Sequence, residues 1–78
     1  MTPRKIMQIA SDCLSALYYI HKQGLAHNNL TAENVLFNAS GHVKLVGWSL
    51  ATRTTSINDK SNDFVSLGLL IVSLYAGH

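Results

Sequence analysis

Apolar positions along the chain fall into three patterns, and each predicts a different element. In the first third, Ile6, Ala10, Cys13, Leu14, Leu17 and Ile20 recur at helical spacing and so share one stripe. Gln8, Ser11, Asp12, Ser15 and Lys22 fall largely on the other faces. Thr2 before Pro3 offers a hydroxyl cap and then a residue whose φ is preset for the first turn. Gly24 sits where a left-handed terminator belongs. The pattern predicts a helix from about Pro3 to Gln23, roughly 30 Å long at about 1.5 Å per residue.

The period then changes. A loop runs from Leu25 to Glu33, and two short apolar runs follow, Val35-Leu36-Phe37 and Val43-Lys44-Leu45-Val46. The turn-rich Asn38-Ala39-Ser40-Gly41 lies between them, so they predict a β-hairpin. From Trp48 to Asn62 the periodicity fails and hydroxyls accumulate at Thr52, Thr54, Thr55, Ser56 and Ser61, which predicts a mobile loop. Beside Arg53 those hydroxyls are candidate phosphorylation sites, although a plain solvated loop is the simpler reading.

The third pattern is a run from Phe64 to Tyr75 that is apolar nearly all round, as in a helix buried on every side. Ser61, Asn62 and Asp63 offer caps, and Gly77 offers a stop after Ala76. A membrane span needs about 20 apolar residues, and this run is shorter. It also lacks the basic polar face of a membrane-surface helix. Too few other residues exist to cover it. One side of the 64–76 helix is therefore expected to stay exposed, as a site for a protein partner or an aggregation hazard.

Composition narrows the class. A chain of 78 residues makes one small domain at most. Net charge +2, with 13% charged and 47% hydrophobic residues, is too apolar for a disordered tail and too weakly charged for a nucleic-acid binder. The single cysteine, Cys13, cannot make an internal disulfide. With no evident secretory signal, a cytoplasmic location is expected. Cys13, His21, His42 and His78 lack zinc spacing, so no metal site is predicted from them.

The candidate chemistry lies in His27-Asn28-Asn29-Leu30-Thr31-Ala32-Glu33-Asn34. It resembles the protein-kinase catalytic loop, H-R-D-L-x-x-x-N, in which the Asp accepts the proton of the attacking hydroxyl and the Asn holds magnesium. Three further stretches agree in order: Leu17 to His27, Glu33-Asn34-Val35-Leu36-Phe37, and Val43 to Ala51 leading into the position of D-F-G. Asp63-Phe64-Val65-Ser66-Leu67-Gly68 is similar to the start of that family's central buried helix. The resemblance implies an α+β fragment, two helices plus a short β-hairpin from the centre of the large lobe. It makes residues 1–78 a partial kinase-like domain.

The departures bear on activity. Asn29 stands at the base position, and an amide has no useful basicity at neutral pH. Gly47 stands where the family has the Asp that ligates magnesium, and Trp48 and Ser49 replace the Phe and Gly that follow it. Asn28 replaces an Arg that in many kinases pairs with a phosphorylated activation loop, and Thr31 replaces a Lys directed to the transferred phosphate. Asn34 is left as a relic metal and cofactor position, and one neutral amide oxygen is a poor seat for a hard dication. Leu36, Leu70 and Leu74 match positions near the adenine ring, with Leu36 a relic cofactor contact. All three are read here as ordinary core.

The resemblance also implies structural roles. His27 would pack against Trp48, an apolar plug, and Asp63 would cap its helix or brace the loop backbone. No glycine-rich loop or phosphate-binding lysine precedes the helix, and the stretch from Gly47 to Asp63 is shorter than an activation segment and has no A-P-E. Loss of a general base alone costs about 10²–10⁴ in rate.

The expectation is a truncated, pseudokinase-like domain without phosphotransfer and without cofactor, acting by protein binding. The rival is part of a working kinase that uses Mg·ATP, serine/threonine rather than tyrosine. A membrane-surface peptide is the weakest reading.

Overall fold

A computed structural model describes residues 2–77 of the chain, so His78 lies outside the described residues. The elements are α1 (Pro3–Lys22), β1 (Leu25–Ala26), β2 (Val35–Phe37), β3 (Val43–Leu45), β4 (Thr52–Arg53) and α2 (Ile57–Ala76). They make two helices and two small antiparallel sheets, an α+β arrangement as the patterns implied.

In α1 the Thr2 hydroxyl accepts a bond from the Lys5 N–H at 3.2 Å, which caps the helix start. The buried stripe is Ile6, Ile9, Cys13, Leu17 and Ile20, with His21 at its end. Ile9 belongs to it and was absent from the expected set, whereas Leu14, expected in it, is 48% exposed. The core runs along the Cys13–Leu17–Ile20 line, and the next residue after Cys13 is turned about 100° away from it.

The hairpin forms in the register Val35↔Leu45, Leu36↔Lys44 and Phe37↔Val43. Asn38 Oδ1 accepts from the Ser40 and His42 N–H groups and shapes the turn. Two polar groups of α1 hold the hairpin down. Gln8 Nε2 donates to the Gly41 carbonyl at 3.0 Å, and Asp12 Oδ2 accepts from the Val43 N–H at 3.1 Å.

The stretch 48–62 is not the mobile loop the sequence suggested. Trp48–Leu50 is a 3₁₀ turn, and β4 pairs with β1 through Leu25↔Arg53 and Ala26↔Thr52. Helix α2 starts at Ile57, well before the expected caps. Ser56 is the cap, accepting from the Asn58 N–H at 3.2 Å. Thr54 reinforces it by donating to Asp59 Oδ2 at 2.6 Å and accepting from the Ser56 N–H. The opening turns are polar, so no apolar period marks them. Asp63 therefore sits inside the helix and caps nothing.

The core consists of Ile9, Cys13, Leu17 and Ile20 from α1, Leu30, Leu45 from β3, and Leu67 and Leu70 from α2. Helix α2 is not buried on every side: it buries only Asp63, Leu67 and Leu70. Phe64, Val65, Leu69, Val72 and Tyr75 stay exposed, which is the uncovered apolar side the residue count implied. Among the described residues no helix is long and apolar enough to cross a membrane.

Candidate functional site

The segment from His27 to Asn34 connects β1 to β2, and one carboxylate from α2 holds its start. Asp63 is fully buried. Its Oδ2 accepts from the His27 N–H at 2.8 Å and from His21 Nε2–H at 2.8 Å, and its Oδ1 accepts from the Asn28 N–H at 2.9 Å. A buried carboxylate is tolerated only when its oxygens are met in this way. His21 is steadied by Phe64, whose ring meets it edge-on at 5.2 Å.

The His27 side chain orders the next residues. Its Nε2 lies 2.8 Å from the Val46 carbonyl and must donate to it. That leaves Nδ1 to accept from the Asn29 N–H at 3.1 Å. Trp48 meets the His27 ring edge-on, with centroids 4.5 Å apart, and its indole N–H donates to the Leu45 carbonyl. Trp48 is 41% exposed, so it is a lid on His27 rather than a buried plug. Its N–H satisfies a strand-end carbonyl and keeps the ring at the surface.

Asn28 has φ 66, a left-handed backbone that asparagine tolerates better than most residues. Its Nδ2 donates to the Leu50 carbonyl and to Thr52 Oγ1, both at 2.9 Å. The residue standing where the family carries an Arg thus clasps the 50–52 segment by neutral contacts. Thr31 is exposed at the mouth of the loop.

Three of the residues singled out by spacing come together. The Asn29 carbonyl accepts from Asn34 Nδ2 at 2.8 Å. Asn34 in turn lies against Gly47, whose φ of 76 and ψ of 43 are left-handed. Leu36 is not in this group. It lies on β2 and is 49% exposed, so it is not the ordinary core residue that its place in an apolar run predicts. Leu70 is core and Leu74 is partly buried against it. Leu36 is exposed because a two-stranded hairpin has two faces, and α1 covers only one of them.

The residues do not fit a magnesium ion. Asn34 offers one neutral amide oxygen, Asn29 has no carboxylate, and Gly47 has no side chain. Among the described residues no group of three or more His, Cys, Asp or Glu could hold a metal. Hard dications require anionic oxygens, and the site presents amides and backbone.

Two participants escaped the sequence reading. His21 was weighed only as a zinc ligand, yet it is the side-chain partner of Asp63. Asn28 was read as a lost Arg, yet it forms the clasp. The short polar amide in a loop that must reverse was the available signal for Asn28. Nothing local marks His21, because its partner lies 42 residues away.

Comparison with known proteins fits this geometry. Residues 1–70 match the protein kinase domain family. The chain is 37% identical to serine/threonine-protein kinase ppk11 of Schizosaccharomyces pombe over 62 residues, which is 80% of this chain and 20% of that protein. It is 30% identical to human mitogen-activated protein kinase kinase kinase kinase 3 over 61 residues, 78% of this chain and 7% of that protein. A probable serine/threonine-protein kinase of Dictyostelium discoideum, mkcD, is 40% identical over 47 residues, 60% of this chain and 7% of that protein. The chain thus spans a fifth or less of the length of these relatives. On the match across residues 1–70, the chain belongs to the protein kinase family.

Proposed function

We propose that this part of a kinase-like domain is without phosphotransfer and acts by binding protein. One observation carries the reading: the position of the general base is an amide, Asn29, and the position of the metal carboxylate is a bare backbone, Gly47. Both are interior residues of the matched region, so the reading does not depend on what flanks the chain. Phosphoryl transfer is largely positioning and charge stabilisation, and those two groups supply both. The exposed apolar side of α2, from Phe64 to Tyr75, is the surface offered to a partner protein. A cytoplasmic location accords with the unpaired, buried thiol of Cys13.

A second reading is favoured by the names of the relatives, which are serine/threonine kinases. Under it the chain is part of a working enzyme that uses Mg·ATP to phosphorylate protein hydroxyls. The two readings separate in a radiolabelled-ATP assay on the full chain with a generic protein substrate. The expected result is no incorporation above background. Turnover that Asn34→Ala abolishes would overturn the proposal.

A further inference from the structure

Leu14 and Tyr18 of α1 stay outside the core, although one is apolar and the other aromatic. They stand four residues apart, and Lys22 follows four further on, so the three share one face of the helix. On α2, Lys60 and Phe64 are also four apart. With the edge of His21, these side chains line a trough of about 430 Å³ between the end of α1 and the start of α2. Phe64 is held edge-on against His21, and Lys22 Nζ lies 5.3 Å from the centre of the Tyr18 ring, within cation–π range. Among the described residues no acidic side chain lines the trough, and neither lysine is paired with a carboxylate. Asp59, next in sequence to Lys60, accepts from Thr54 instead. The trough is thus apolar and aromatic in its walls, and its two free charges are both positive.

We propose that this trough docks a segment of a partner protein in which an aromatic side chain is flanked by Asp or Glu. The ring lies against Leu14, Tyr18 and Phe64, and the carboxylates meet Lys22 and Lys60. This rests on the reading of the chain as a protein-binding piece, and it names the chemistry of what is bound. Charge complementarity selects an anionic occupant. Ammonium groups are point charges without the guanidinium fork that grips phosphate bidentately, so simple carboxylates match them. A fatty acid fits less well. The walls are themselves about half exposed, so an acyl chain would keep one side in water. A peptide turns its polar backbone to that water and only its ring to the walls.

A nuclear magnetic resonance titration of the nitrogen-15-labelled full chain tests this, in trimethylamine oxide, which favours the compact state. The probe is the end-capped peptide Glu-Glu-Trp-Glu-Glu. Saturable shifts are expected at the Tyr18, Lys22, Lys60 and Phe64 amides, below about 1 mM peptide. Exchanging the peptide's tryptophan for alanine should weaken binding about tenfold or more. Lys22→Glu with Lys60→Glu should do the same, and that chain should now bind Lys-Lys-Trp-Lys-Lys. Neither lysine belongs to the core, and the spectrum itself reports whether the variant is folded. If charge reversal costs the fold, Lys22→Gln with Lys60→Gln carries the test, with the same loss expected.

No saturable shift, or shifts centred away from these four residues, would overturn the proposal. So would binding indifferent to the lysines, or binding indifferent to the tryptophan, which would be charge attraction alone. Laurate that shifts the same amides as strongly as the peptide would assign the trough to a lipid instead. A parent chain without a dispersed spectrum would also reject it, because the trough exists only where the two helices pack. Phosphate incorporation in the ATP assay would sink the proposed function and leave the trough. A peptide that does not bind would sink the trough and leave Asn29 and Gly47 as the grounds for that function.

Discussion

Asp63 takes a carboxyl group into the interior, and three N–H groups make that tenable. Its partners are His21 at the end of α1 and the main chain at His27 and Asn28, so one side chain joins both helices to the loop. Replacing Asp63 by Asn keeps the shape but turns an NH₂ group toward N–H donors. Breaking such a buried cluster costs about 3–5 kcal/mol. Asp63→Asn is therefore expected to abolish the helical far-ultraviolet circular dichroism of the chain under conditions where the parent is folded. His21→Phe removes one donor of three and leaves the two main-chain bonds, so its cost is about 1–2 kcal/mol. Equal losses from the two variants would show that the loop bonds add nothing to the helix–helix bond.

At the scale of elements, α1 and the hairpin share the apolar core and are also joined by polar contacts, one of which is sensitive to pH. The Asp12 carboxyl is held below its ordinary value of 3.8, chiefly by the Val43 N–H; partial burial opposes this, and His42, 3.3 Å away, assists. A carboxyl with a lower pKa folded than unfolded adds stability above the unfolded value. That stability is lost as pH falls through the folded value. Acid is thus expected to loosen the hairpin from α1 below pH 3.8, with the Val43 amide exchanging faster there than at neutral pH. Asp12→Asn should remove that acid step and cost about 1 kcal/mol at neutral pH. A Val43 amide indifferent to pH in the parent chain would show that this contact carries no weight.

The same elements explain what the sequence could and could not tell. Helix α1 and the hairpin were legible because apolar periods of 3.6 and short β-branched runs report burial on one face. The two-residue strands β1 and β4 are too short for any period, and their pairing joins Leu25 to Arg53 across the chain. The start of α2 was hidden by polar turns capped from Ser56. At the site, spacing brought Asn29, Asn34 and Gly47 to attention. The close approach of Asn34 to Gly47 depended on a left-handed backbone that no sequence pattern states. The Asn28 clasp was equally invisible, since its partners Leu50 and Thr52 lie in the segment read as loose.

For the molecule as a whole, the balance between core and surface decides whether the chain stands alone. Small domains hold about 0.05–0.15 kcal/mol per residue, and they bury proportionately less surface than larger ones. Here a helix whose exposed side carries Phe64, Val65, Leu69, Val72 and Tyr75 adds apolar area in water rather than in the core. Cys13 offers a direct gauge. Burial first, and the nearby Asp12 charge second, push its thiol up to about 11 from 9.0, and no part of it is exposed. Alkylation must then proceed through opening of the fold, because the reactive species is the thiolate. In the isolated chain without osmolyte the slowing relative to the unfolded state is expected to stay below about a hundredfold, or roughly 2.7 kcal/mol. A partner that covers α2 should raise it by mass action. Val65→Lys with Leu69→Lys should leave the isolated value nearly unchanged, because those side chains bury little here, but should abolish the partner's contribution. A slowing beyond about 10⁴-fold in the chain alone, or about 5.5 kcal/mol, would mean that the open side of α2 costs the fold nothing, and protein binding would lose its structural motive.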